Sequence, residues 1–447
     1  MGRKTRLHNT DNNPGVRPPL KVELSEKNKK LRMAAIIGFL AIALIAFAIG
    51  MVKLLSTDPG WAVISATTSE NGTCSNEFTF HYYLGDSGIS ATAENKKLTS
   101  KYTELCENAY RIFNSDSTFS DVGNIASLNK HPNEAIEIDS ELYAALEKIN
   151  ASDNRGIYLG PVYGYYQSLF NSADDNDAAD FDPFVNGELK EYYKDVAAFA
   201  ADSEQVSVEL LSDSRAILHV SDEYSTFAEE NVIKTYISLF WMKNAFVADY
   251  LAASLEDAGY TKGVLSSYDG FSRTLGDMSG GTENGETYSL NIYARLDKTV
   301  YSAAVLGYGG RRSTVVLKDF PVAESDTLNY YVTGNGDVRF PYAGVSDGLS
   351  RAATPFLAAY SEKYGCADVL LRIAPVYISD SLDADKLEKL SQNGICSVWC
   401  DGERIMHTEK NISLRNLYSD SAVTFKENYR KNRRCCCIGD FCTVLII

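Results

Sequence analysis

EENVIKTYISLFWMKNAFVADYLAASLEDAGYTKGVLSSYDGFSRTLG, Glu229 to Gly276, is the stretch from which the fold is read. Between Asn231 and Ala258 the apolar residues Val232, Tyr236, Leu239, Phe240, Ala245, Phe246, Ala248, Leu251, Ala252 and Leu255 recur mostly at three- and four-residue steps. Ile233, Ile237, Trp241 and Val247 widen that stripe, so the pattern predicts a long, largely buried helix over 231–258. Gly259 suits a left-handed helix stop. Lys262 to Ser267 is then a short apolar run, which Tyr268-Asp269-Gly270 turns back into Phe271 to Gly276. Units of this kind are ordinarily plain core. A tight acidic turn at the end of a helix and strand is also a place to seat a ligand.

Working outward, Glu77 to Tyr83 partly alternates and reads as a strand, and Asn95 to Phe113 places Leu98, Tyr102, Leu105, Tyr110 and Phe113 on one helical face. Asn114 to Val122 is a polar turn cluster, Gly123 to Lys130 short and helical or irregular, Ala135 to Asp139 a strand, and Ser140 the N-cap of a helix through Asn150. Gly187 to Ala201 is amphipathic, and Gln205 to Leu211 with Arg215 to Val220 form a hairpin around Ser212-Asp213-Ser214. Beyond the decisive stretch, strands are expected at Thr287 to Arg295, Val300 to Gly307, Ser313 to Phe320, Val369 to Ala374 and Ser397 to Asp401. Helices are expected at Val345 to Tyr364 and Asp383 to Asn393. The layout is α+β, a mixed sheet with helices, without regular βαβ alternation. No G-x-G-x-x-G, Walker A, G-x-S-x-G or H-E-x-x-H motif stands where it could act.

The chain has 447 residues, 45% of them apolar and 11% aromatic, enough for a substantial core. A formal charge of -16 argues against a nucleic-acid binder, which needs clustered Lys and Arg to neutralise phosphates. The acidic run Asn171 to Pro183 has an Asp-x-Asp spacing but lacks the central Gly and the terminal Glu of an EF-hand, so it reads as a solvated loop. Cys396 and Cys400, four apart in a chain with five histidines, make a poor metal site. Cys74 can pair with Cys106 or with another thiol in an oxidising compartment, and spacing alone does not choose.

Residues 1–32 form a basic, proline-broken arm. From Met33 to Val52 twenty residues run without a charge. At about 1.5 Å per residue they just span a hydrocarbon core of roughly 30 Å. Lys27, Lys29, Lys30 and Arg32 precede the run, so the positive-inside rule leaves the N-terminus in the cytoplasm. The expected organisation is a cytoplasmic arm (1–32), a transmembrane anchor (33–55), an extracytoplasmic domain (60–410) and an unassigned tail (411–447). That makes a single-pass protein of the cell membrane, with the tail carrying Cys435-Cys436-Cys437.

Several segments, in order, resemble the FAD:protein FMN transferases of the ApbE type. Asn-Ile-Ala-Ser-Leu-Asn-Lys-His-Pro (124–132) followed by Ile-Glu-Ile-Asp-Ser-Glu-Leu-Tyr-Ala-Ala-Leu-Glu (136–147) is similar to that family's S-E-I-S-R-L-N-R … V-S-P-E-L-Y-E-L-L-E. Gly156 to Phe170 resembles its G-A-F-D-P-T-V-G-P-L loop, and the opening stretch resembles D-L-G-G-I-A-K-G-Y-A-x-D … G-G-D-I-R-x-L-G. Val322-Ala323-Glu324-Ser325 resembles V-A-T-S-G, and Ile373-Ala374-Pro375 onward resembles V-A-P-x-x-x-T-A-D-A-L-x-T. The resemblance covers roughly residues 75–408. It implies a T-fold-type mixed sheet and an extracytoplasmic, membrane-tethered enzyme that cleaves FAD with Mg2+ and transfers FMN to Ser or Thr of a redox flavoprotein acceptor.

Phosphoryl transfer needs a metal, close approach to the pyrophosphate and a base. Carried over residue by residue, the resemblance implies Lys243 and Asp249 as catalytic groups. Tyr158, Ser238, Asn244, Asp269 and Gly270 are implied at the cofactor, and Asp380 and Asp385 as metal ligands. Phe240 and Trp241 fall where that family has small residues, which predicts crowding at the pyrophosphate. A catalytically inactive flavin-binding or assembly module is the alternative. No acceptor motif of the D-x-x-S/T-G-A-S/T kind occurs in the chain itself.

Overall fold

The computed structural model describes residues 57–67, 72–152, 154–276, 288–322 and 324–430. The expected anchor, the basic arm, Ala323 and the cysteine tail lie outside them. Among the described residues no helix is long and apolar enough to cross a membrane.

Nine strands of the described residues form one sheet whose spatial order follows the chain: β1 (Gly60–Ile64), β2 (Phe78–Leu84), β3 (Gly263–Ser267), β4 (Phe271–Leu275), β5 (Ser313–Lys318), β6 (Phe356–Ser361), β7 (Cys396–Asp401), β8 (Arg404–His407) and β9 (Lys426–Tyr429). Every pair is antiparallel except β8 with β9. One face carries helices α1 (Ala91–Ile112), α4 (Lys243–Asp257) and α5 (Cys366–Tyr377). The other face is covered by the hairpin of Tyr288–Leu296 and Thr299–Tyr308, so the architecture is α+β in three layers. Beside it, helices α2 (Gly160–Phe170) and α3 (Gly187–Ala201) form an aromatic-rich lobe with the small sheet of Ile136–Glu137, Val206–Leu211 and Arg215–Val220.

The decisive stretch folds as predicted in its second half. Gly259 takes φ +89 behind α4, and β3 and β4 pair around Asp269-Gly270. Gly270 is obligatory there, because at φ +106 an added Cβ would meet Val316 O at 2.4 Å. In the first half the helix begins at Lys243, twelve residues later than its periodicity predicts. Val232 and Phe240 stand at φ 56 and 36, which no helix tolerates, and the intervening chain is irregular. Its buried backbone is satisfied from outside: Tyr236 N and Ile237 N donate to Asn129 Oδ1 at 2.9 and 3.0 Å, and Asn129 Nδ2 donates to Ile237 O at 2.8 Å. One buried amide stands in for a turn of helix.

Two further expectations exchange places. The predicted helix at 345–364 is loop followed by strand β6, and the predicted strand at 369–374 lies within helix α5. Strand β6 is buried on both faces, Leu357 and Ala359 among the helices and Phe356, Ala358 and Tyr360 under the hairpin. That double burial erases the period-two signal and leaves Leu and Ala to imitate a helix. In the acidic run 171–183, Asp174 caps the short helix Asp175–Ala178, Asp175 accepts from Tyr331 OH at 2.6 Å, and Asp182 holds Arg339 at 2.8 Å. Its acids dock a loop.

Candidate functional site

A cleft of about 680 Å³ opens where α4 begins, bounded by the 114–117 loop after α1, Gln167 of α2, the segment before β2 and the Tyr268-Asp269 turn. That volume lies within the usual range for small-molecule sites. The loop is shaped by Asn114, whose Oδ1 accepts from Asp116 N at 2.9 Å and Ser117 N at 2.7 Å.

The wall at the first turn of α4 is charged. Lys243 Nζ sits 2.7 Å from Glu77 Oε1, and Asn244 Nδ2 donates to Asp269 Oδ2 at 3.0 Å. A cation at the positive end of a helix, partly buried, has two effects against it. Burial pulls the lysine down, but Glu77's charge and hydrogen bond, helped by Asp269, outweigh it and hold the ammonium protonated. Asp269 moves the other way. Burial lifts its carboxyl to about 6, with Glu77 adding to the rise while Ser267, Lys243 and Asn244 oppose it. Asp269 Oδ1 and Asn244 Oδ1 are both buried without a hydrogen-bond partner, an uncommon pairing in one wall. The wall therefore offers an ammonium paired with the Glu77 carboxylate, and two acceptor oxygens without a partner.

The two large rings do not close the cleft. Trp241 is 6% exposed and packs edge-on against Tyr342 at 5.3 Å, while Phe240, turned by its positive φ, stacks on Tyr163 at 4.8 Å. Both rings line the cleft, each engaged by a neighbouring ring.

Of the residues singled out from sequence, Lys243, Ser238, Asn244 and Asp269 line this cleft. Gly270 is beside it and serves the turn. Tyr158 is not in its lining: it is buried in the helical lobe, its hydroxyl accepting from Val208 N at 3.0 Å and its ring lying under Arg155 at 4.4 Å. Asp249 is also elsewhere. It lies 2.6 Å from Arg273 Nη1 and accepts from Cys366 N at 2.8 Å and Ala367 N at 3.0 Å, which fastens the start of α5 to α4 and β4. Gly365 makes that approach possible, since an added Cβ would lie 2.3 Å from Asp249 Oδ2.

Asp380 and Asp385 do not join Asp269 in the cleft lining. Their side chains are 89% and 82% exposed and lie at 3.1 Å from Arg351 and 2.7 Å from Arg430. At the start of α5, Asp368 meets Lys148 and Arg372, each at 3.1 Å. Among the described residues no group of three or more His, Cys, Asp or Glu side chains could hold a metal ion. The donor set therefore does not fit Mg2+: the Asp269 carboxylate and one amide oxygen share their wall with an ammonium, and the Glu77 carboxylate there is taken up by that ammonium. Sequence reasoning missed Glu77, Gln167 and the 114–117 loop. Only the turn chemistry of Asn114 carried a signal, and it pointed to shape.

No family model matches the sequence, and no curated protein matches it. The fold is nonetheless similar to solved ApbE structures. The ApbE protein from Thermotoga maritima has a TM-score of 0.51 and 12% identity, covering 79% of this chain and 97% of its own. Flavin transferase ApbE from Vibrio cholerae has a TM-score of 0.47 and 12% identity, covering 76% and 93%. The first of these shows a shared fold.

Proposed function

We propose that this chain is a membrane-tethered, extracytoplasmic protein of flavin-transferase-like fold that binds a flavin nucleotide in the α4 cleft and has no magnesium site there. The observation that carries the reading is the single wall holding a charged Lys243 beside the unpartnered oxygens of Asp269 and Asn244. A flavin nucleotide presents the complement of both: phosphate for the ammonium, and the single ring N3–H with the ribityl hydroxyls for the acceptors. The uncharged Met33 to Val52 run and the basic residues before it support the tether and its orientation.

The test is a fluorescence titration of the purified protein with FAD, FMN and riboflavin, in EDTA and again in Mg2+. FAD and FMN are expected to bind at least about tenfold more tightly than riboflavin, with or without the metal, and Lys243→Gln to abolish the preference. Equal affinity for riboflavin sinks the phosphate assignment.

Retained transfer is the second reading, favoured by one observation. Asp269, lifted to about 6, is placed to act as a base near neutral pH. Its test is AMP release from FAD with Mg2+ and a peptide bearing the acceptor motif. AMP above blank, lost in Asp269→Asn, establishes that reading, and a redox flavoprotein is then the proposed acceptor.

A further inference from the structure

Cys74 and Cys106 are the described cysteines that meet each other. Cys74 N donates to Cys106 O at 3.3 Å, the two thiols are hydrogen-bonded, and both residues are buried, at 1% and 0% exposure. The backbone bond and the thiol contact set the two side chains against each other, the juxtaposition a disulfide requires. Other described thiols are engaged differently: Cys366 donates to Ser272 O at 3.3 Å and Cys400 to Tyr293 O at 3.3 Å. A buried cysteine is ordinarily an inert small hydrophobe. This pair differs because Cys74 borders the cleft and so has a route to small molecules.

We infer that Cys74 and Cys106 form an oxidisable dithiol in the cleft wall, closed to a disulfide by exchange with a low-molecular-weight disulfide such as oxidised glutathione. The Cys74 thiol loses its proton and attacks one sulfur of that disulfide, expelling a thiolate and leaving a mixed disulfide. The Cys106 thiolate then attacks the Cys74 sulfur and expels the second thiolate. Two protein thiols lose two electrons in all, and one small disulfide becomes two thiols. The bond ties the segment before β2 to α1. That segment includes Glu77, whose N–H donates to Cys74 O at 3.0 Å and whose carboxylate holds Lys243. Oxidation is thereby coupled to the charge in the cleft, whatever ligand the cleft takes.

Glu77, Lys243 and Tyr102 face the Cys74–Cys106 pair. Cys106 and burial hold the Cys74 thiol protonated, Glu77 adds to that, Lys243 opposes it, and Tyr102 bonds to Cys106. The thiolate is the attacking species, so exchange accelerates with pH, by about tenfold per unit while the thiol is mostly protonated.

The test uses the full chain, equilibrated in glutathione buffers of graded ratio, acid-quenched, denatured, alkylated and digested for mass spectrometry. A cross-linked peptide joining Cys74 to Cys106 is expected to exceed half in excess oxidised glutathione and to vanish with dithiothreitol. Cys106→Ser is expected to trap glutathione on Cys74. Should that variant misfold, the wild-type linkage and its pH-dependent rate decide alone. Complete alkylation of both peptides at every ratio, Cys74 joined to a different cysteine, or a rate indifferent to pH overturns the inference.

Discussion

Asp249, midway along α4, and Asp269, in the turn between β3 and β4, belong to one helix-and-hairpin unit, and their surroundings differ. Asp249 has an arginine and two backbone N–H groups on its oxygens, and it closes the joint between α4, β4 and α5. Asp269 is buried with one oxygen bonded only to an amide and the other to nothing. Saturated carboxylates hold a fold together; a carboxylate left wanting a partner marks where a second molecule is to be accommodated.

Substitution of each carboxylate separates the two roles, most strongly at the joint. Asp249→Ala leaves Arg273 buried beside an uncapped helix start and is expected to cost about 3–5 kcal/mol in urea unfolding. A cost under about 1 kcal/mol breaks the comparison. Asp269→Asn acts through pH. The folded carboxyl titrates near 6, above its ordinary 3.8, so the folded state holds the proton more tightly than the unfolded chain. Its contribution is fully present below about pH 4 and is lost as pH rises through about 6, roughly 3 kcal/mol in all. Asp319, also lifted to about 6 by burial, adds its own decline in both proteins, so unfolding measured between pH 4 and 7 should show a fall smaller in the variant by about the Asp269 amount.

Gly365→Ala sharpens the joint from the other side. Its Cβ collides with Asp249 Oδ2, and a loss of about 1–3 kcal/mol is expected by thermal or urea unfolding. Smallest of all, Asp380→Ala and Asp385→Ala remove exposed ion pairs and should leave stability within about 0.5 kcal/mol and flavin titration unchanged. A metal-dependent change in either would restore the ligand roles implied by resemblance.

What could be read from sequence was whatever is encoded by neighbours. Gly259, the Asp269-Gly270 turn and the hairpin 206–220 announce themselves through local backbone chemistry, and each folds as expected. Residues 231–242 misled because burial by distant partners gave irregular chain the apolar spacing of a helix, with Asn129 more than a hundred positions away supplying its bonds. The same holds at the site. Lys243, Asn244 and Asp269 converge because α4 and one turn carry them. Asp380 and Asp385 follow α5, where a strand was expected, and stand exposed on Arg351 and Arg430. Glu77 enters only because β2 pairs with β3, a partnership no local signal announces.

The dependence on Asn129 has a consequence for anyone reshaping the ligand pocket. The aim of Trp241 and Lys243 is set by a side chain outside the pocket lining, which pins the backbone four to seven residues upstream of them. Trimming that one amide to alanine would free the hinge of the pocket while leaving every lining residue intact, so the route to retuning selectivity begins behind the wall.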